Sequence, residues 1–198
     1  MGVKVKKYFE HHLISTLAMV TDVDEDDKIF HFWRVGIIAY YLSKFLYLDK
    51  EKSKKIFYAG LLHDIGGIGL RDHVIHHATG EVNNPKEKEK MLKHPELTVG
   101  IIKEFDFLRG IEEYILDHHE RIDGSGYPKG KVGNSISLEA QIIGVADEFD
   151  LLLRQANSKT KIYNYFRKRK GVKFDFSLWS AILEILNRNN SSFYYQLS

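Results

Sequence analysis

Five places in the sequence set histidine or aspartate into apolar surroundings. His31 sits among aromatic and aliphatic residues in IFHFWRVGII. His63 and Asp64 lie side by side in LLHDIGGIG at 61–69. His94 ends KEKEKMLKH, His118 and His119 end YILDHH, and Asp147 interrupts IIGVADEFDLLL. A buried imidazole or carboxylate is costly unless it is paired, and a metal ion is an efficient partner. The chain has no cysteine, so any metal must be held by histidine and carboxylate. Neighbours on a helix point about 100° apart. A His–Asp pair at a helix end can therefore aim at two adjacent metals, with Asp64 bridging and His63 holding one, while Gly66 and Gly67 leave space for a substrate.

Each member also has a plainer reading. His31 could be a hydrogen-bonded core histidine, His63–Asp64 a capped helix end, His118–His119 a surface pair and Asp147 a structural cap. Together they are harder to explain that way, because one such group recurs on each helix. Helices that converge can each donate a ligand to a cluster between them. His73, His76 and His77, in DHVIHHATGE, read as surface or rim residues, and His11 and His12 as helix surface.

The positioning elements are helical. Apolar residues recur at three- and four-residue intervals over 29–47 and 53–64, with Asp49 or Ser53 as the start of the second. Gly66 and Gly67 end it. Residues 68–84 read as loop. Asn84-Pro85 signals a helix start, followed by helical segments over 96–105 and 110–119. Residues 120–135 are glycine-rich and irregular. Helical spacing resumes over 137–153, capped by Ser135 or Ser137, and again over 160–169 and 177–187. Strand alternation is scarce. The expectation is an all-α, single-domain chain over 1–198 with a motif-bearing core at about 10–187.

Composition narrows the class. Apolar residues make up 43% of the 198, enough for a core, and the formal net charge is +2. That balance argues against a DNA-coating protein. The basic and short apolar N-terminus runs into Asp22–Asp27 instead of a cleavage site, so it reads as a helix, not a signal peptide. No run approaches the ~20 apolar residues of a membrane span. The absence of cysteine fits a cytoplasmic location.

HDIG at 63–66 and HHERIDGSGYP at 118–128, in that order, resemble the HD-GYP subgroup of the HD phosphohydrolase superfamily. The resemblance runs from about residue 10 to GVKFDFSLWSAIL near 183. It implies an all-helical bundle around two or three divalent metals, most often iron or manganese. The implied activity is hydrolysis of cyclic di-GMP or a related cyclic dinucleotide to linear pGpG and, in some members, GMP. By motif, His31, His63, Asp64 and Asp147 would hold one metal, and Asp64 would bridge to a second held by His94, His118 and His119. His63 and Asp64 form the catalytic pair. Asp27, four residues before His31, occupies the position that holds a third metal in some members; its other reading is the end of an acidic helix-start run. Arg121, Gly126, Tyr127, Pro128 and Lys129 in the GYP loop, and Lys159 further on, are the implied substrate-binding residues. Relatives often carry a sensor domain ahead of the catalytic one, and about the first twenty residues here cannot form one, so a signal is expected from a partner supplied in trans or from ligand binding itself.

The chain departs from the family at the substrate side. The usual HDIGK lysine is Gly67. The usual DALTSxRPYR becomes DLLLRQANSK, with Ala156 and Ser158 at the first arginine and the tyrosine, and Lys159 at the last basic position. Two other readings stay open on that account. One is a phosphohydrolase acting on another nucleotide or phosphoester. The other is a non-catalytic module that binds a cyclic dinucleotide.

Overall fold

The computed structural model describes residue 10 and residues 12–19, 30–67, 85–155 and 158–187. Asp27, His11, His73, His76, His77 and Ala156 lie outside the described residues. The helices are α1 (residues 12–19), α2 (His31–Phe45), α3 (Lys50–Leu62), α4 (Pro85–Ile102), α5 (Glu112–Leu116), α6 (Leu138–Gln155), α7 (Lys159–Arg167) and α8 (Ser177–Asn187). Among the described residues there is no strand; isolated bridges join Asp123 to Val132 and Lys170 to Phe174. No described helix is long and apolar enough to cross a membrane.

The sequence explains the helices that carry the cluster. In α2, Val35, Ile38 and Leu42 form a fully buried stripe, and His31 stands one turn ahead of it on the same face. The periodicity that buries the helix therefore buries the histidine too. Helix α3 starts at Asp49, whose side chain accepts the Lys52 N–H at 2.8 Å. Ser137, not Ser135, caps α6 by accepting from the Ala140 N–H at 3.2 Å.

Two segments differ from the sequence expectation. Residues 85–102 form one helix with Pro95 inside it, where a break before 96 was expected. Helix α5 spans only Glu112–Leu116, so His118 and His119 stand in the turn beyond it. Helices α2 and α6 tie two apolar cores together. One joins Val35, Ile38 and Leu42 to Ile142, Phe149, Phe166 and Leu178. The other joins Phe32 to Ile14, Leu62, Ile102, Ile115 and Ile143.

Candidate metal centre

The ends of α3 and α5, the head of α2 and the middles of α4 and α6 converge. His31, His63 and Asp147 present ligand atoms within 4.8 Å of one another, and so do Asp64, His94, His118 and His119. Asp64 lies between the groups. Its Oδ2 is 3.2 Å from His63 Nε2, while its Oδ1 is 3.1 Å from His94 Nε2 and 3.3 Å from His118 Nε2. His31 Nε2 and His63 Nε2 lie 3.7 and 3.9 Å from Asp147 Oδ1. All are buried, and the remaining exposure falls on His119, Asp147 and Asp64, which marks the open side of the cluster.

The rings are held from behind. His63 Nδ1 donates to Gly60 O at 2.9 Å, His94 Nδ1 to Met91 O at 2.6 Å and His118 Nδ1 to Ile115 O at 2.6 Å. A carbonyl only accepts, so each Nδ1 carries a proton and each Nε2 is the ring atom turned toward the cluster. Gly60 O is available because the last turn of a helix leaves C=O groups without intrahelical partners, and Ile115 O, at the end of α5, accepts from both the His118 ring and the His118 N–H. His94 is mid-helix, and there Pro95 frees the carbonyl instead. The residue after His94 would normally bond to Met91 O, but proline has no N–H. The proline inside α4 thus leaves this carbonyl for the His94 ring.

Gly66, after Asp64, does not serve as an opening. A Cβ on Gly66 would lie 2.6 Å from His94 O and 2.4 Å from Thr98 N. Gly66 therefore lets the His63–Asp64 turn press against α4, and Thr98 fastens it. The Thr98 hydroxyl donates to His63 O at 3.1 Å and accepts from the Gly66 N–H at 3.0 Å. Likewise a Cβ on Gly126 would lie 2.5 Å from His119 O, so the GYP loop packs directly on the HHE backbone.

Electrostatics fit a cation. Burial works against the Asp64 carboxylate, yet the imidazoles of His63, His94 and His118 outweigh it and hold Asp64 well below the usual carboxylate range. Burial also opposes charge on His63, but Asp64 and Asp147 raise it to about 9. Burial raises Asp147 to about 6, with Asp64 adding to it and His63 opposing. Burial, reinforced by His118 and His94, lowers His119 well below its ordinary value, so it is a neutral ring with a lone pair. The Nε2 atoms of His63, His94, His118 and His119 and both Asp64 oxygens are buried without a well-formed hydrogen bond. Buried polar atoms are rarely left so. Convergent imidazoles around a central carboxylate are a divalent-metal donor set, and a metal would displace any proton from the Nε2 atoms.

The residues expected to meet substrate fall in several places. Tyr127 stacks on His119, with ring centroids 4.6 Å apart, at the open side. Burial and the charges of Asp64 and Asp147 raise its phenol well above the ordinary value, so it keeps its proton. Gly126 and Pro128 flank it in the same loop. Arg121 is turned inward: its Nη2 pairs with Glu148 Oε1, and its Nη1 donates to Glu120 O at 3.0 Å and His118 O at 3.3 Å. The Lys129 side chain is exposed, while its main-chain N–H is held by Glu120 Oε1 at 2.7 Å. Lys159 Nζ donates to Leu186 O on α8 at 3.3 Å. Ser158 caps α7 by accepting from the Lys161 N–H.

Several residues of the site went unremarked in the sequence. Glu120 clamps the GYP loop through the Lys129 and Lys131 N–H groups, the latter at 2.9 Å. Glu148 holds Arg121, and Asp150 accepts from His31 Nδ1 at 2.8 Å. The signal for Asp150 was present: it is a second aspartate in the apolar run around Asp147, one turn on.

Helices that converge on one buried His–Asp cluster define an all-helical domain with a candidate metal centre. The HD domain family model matches residues 11–178, and the chain belongs to the HD domain family, in its HD-GYP branch. It is 30% identical over 187 residues to the 3'3'-cGAMP-specific phosphodiesterase 1 of Vibrio cholerae, covering 92% of this chain and 42% of that protein. It is 32% identical over 181 residues to the cyclic di-GMP phosphodiesterase response regulator RpfG of Xanthomonas campestris, covering 88% and 47%. The chain thus spans less than half the length of these two relatives. The fold is shared with the V. cholerae cyclic GMP-AMP-specific phosphodiesterase V-cGAP3, at a TM-score of 0.74 and 19% identity over 94% of this chain and 50% of that one. It is shared too with the HD domain of the phosphodiesterase PgpH from L. monocytogenes, at a TM-score of 0.59 and 16% identity over 90% and 98%.

Proposed function

We propose that this chain is a metal-dependent phosphodiesterase that hydrolyses cyclic di-GMP, or a related cyclic dinucleotide, to a linear product, pGpG in the case of cyclic di-GMP. The observation that carries this reading is the placement of Asp64, with one carboxylate oxygen toward His63 and the other toward His94 and His118. A carboxylate so placed would be able to hold two divalent metals at once. His31, His63 and Asp147 would hold one, and His94, His118 and His119 the other, with iron or manganese as the metals we favour. Asp27 is our choice of ligand for a third. Paired divalent metals supply Lewis acidity at phosphorus and a nucleophile at neutral pH.

The protein's own residues do the rest. The protonated Nδ1 atoms fix the rings, so the ligand atoms need no reorganisation during reaction. Tyr127 keeps its proton and can donate to a phosphate oxygen at the open side. Water adds to phosphorus, the bond from phosphorus to the 3' oxygen breaks, and the 3' oxygen leaves protonated; the 5'-phosphate stays on the product.

A second reading draws on the basic residues. Arg121 and Lys159 are engaged with Glu148 and Leu186 O, which favours a smaller phosphoester or a binding role. The test is anaerobic purification, loading with iron or manganese, and chromatography of products from cyclic di-GMP and 3'3'-cGAMP, beside a His63→Ala/Asp64→Ala variant. Linear product from the intact protein alone supports the proposal. Metal-loaded protein that leaves both dinucleotides intact overturns it, and hydrolysis of an aryl phosphodiester or a mononucleotide would then favour the second reading.

A further inference from the structure

The histidines of the cluster are not backed alike. His63, His94 and His118 each donate from Nδ1 to a main-chain carbonyl three residues earlier in the chain. His31 donates instead to a carboxylate, Asp150 Oδ2 at 2.8 Å, and the side chains of both residues are fully buried. Asp150 lies three residues after Asp147, on α6, so one helix supplies both a ligand and the support of another.

Asp150 is held as an anion. Arg34 Nε reaches its Oδ1 at 2.5 Å, and Arg34 Nη2 and Arg154 Nε reach its Oδ2 at 3.3 and 3.1 Å. An anion accepting from Nδ1–H pushes electron density toward Nε2 more strongly than a neutral carbonyl does. Such outer partners raise the basicity of a ligating imidazole and fix its ring.

We propose that Asp150 is a positioning residue that makes the two halves of the metal centre unequal, so that the half built from His31, His63 and Asp147 holds its divalent metal the more tightly. This rests on the reading above only in taking the cluster to hold two metals. Asp147 adds a carboxylate to that half, while the other half has three neutral rings and one oxygen of Asp64. Arg34 and Arg154 serve by keeping Asp150 charged and in place.

The experiment is a metal titration that does not depend on turnover. Wild type and Asp150→Asn are equilibrated with chelator-buffered Mn(II), and bound metal is counted by mass spectrometry, with circular dichroism to confirm folding. The proposal expects two classes of site in wild type. In Asp150→Asn the tighter equivalent weakens about 10- to 100-fold while the weaker one is unchanged. With iron, the midpoint potential of one ion moves positive, since a poorer donor stabilises the ferric state less.

Both equivalents unchanged, or both weakened alike in a folded variant, overturns the proposal, as does a wild type that takes up a single equivalent. Should Asp150→Asn fail to fold, Arg154→Gln replaces it. That change removes one hydrogen bond to Asp150 and leaves His31 untouched. A smaller loss confined to the tighter equivalent is then expected, and no loss overturns the proposal. A wild type that binds two metals yet cleaves no cyclic dinucleotide sinks the phosphodiesterase reading and leaves this inference standing.

Discussion

His63, His94 and His118 are oriented by carbonyls three residues away in the same stretch of chain. Arg121 and Lys159, in contrast, each end on a partner 27 residues away on another helix. The first region is organised locally, through helix ends and one internal proline. The second depends on which helix happens to pack nearby. Side chains of the first kind keep their role wherever the helices meet. A basic side chain of the second kind can be diverted to a buried carboxylate or a helix terminus, with little change in the sequence around it.

Metal removal probes the local half of this comparison and should have the largest effect. A ligand at about 1,000 times its dissociation constant stabilises by roughly 4 kcal/mol per site. Each kcal/mol moves Tm by about 2–4 °C in a domain of this size. Chelator-treated protein should therefore melt on the order of 10 °C below metal-loaded protein in calorimetry. Equal Tm values would mean that the rings are held as a structural hydrogen-bonded core.

Arg121→Ala addresses the other half. It strands Glu148 in a largely buried setting, a loss of about 3–5 kcal/mol for a broken buried pair, readable in a urea melt. If stability were unchanged and the KM for a cyclic dinucleotide rose instead, the arginine would return to the substrate and the comparison would break. Lys159→Ala sharpens the same point with a smaller effect. Its Nζ contact is to an α8 carbonyl, so the KM should change less than about 2-fold, and a rise of tenfold or more would place it on a phosphate.

The smallest effect belongs to the surface clip between the GYP loop and the α7–α8 turn. Hydrogen bonds from Lys173 and Ser125 lower Asp123 from its ordinary 3.8 to about 2. A depressed carboxylate contributes stability above its unfolded pKa and loses it as pH falls through the folded one. The advantage of wild type over Asp123→Asn should thus be present at neutral pH and vanish between about pH 4 and pH 2. An exposed pair is worth about 0.2–1 kcal/mol, so the Tm difference at pH 7 should be about 1–3 °C. A difference that persists at pH 2 would exclude the ion pair as its source.

The helical class was legible because apolar periodicity and Asp49, Pro85 and Ser137 signal it locally. The positions that form the buried cluster were legible because histidine and aspartate in apolar runs are expensive unless paired. The glycines were legible as important, but their role was misread. The space beside Gly66 is filled by α4, and no local rule states which helix will arrive. The continuity of the helix through Pro95 was not legible, because the carbonyl that the proline leaves free is taken up by the His94 ring.

By itself the sequence determined a helical chain that buries one His or Asp ligand group per helix, and it determined the backing of three rings, because a carbonyl three residues back is within reach of local geometry. Only the tertiary structure decided that Asp64 lies between the two ligand groups, that Asp150 stands behind His31 from 119 residues away, and that Arg121 and Lys159 are engaged elsewhere. Those outcomes depend on how helices pack against one another, and contacts between distant segments leave no periodicity to read.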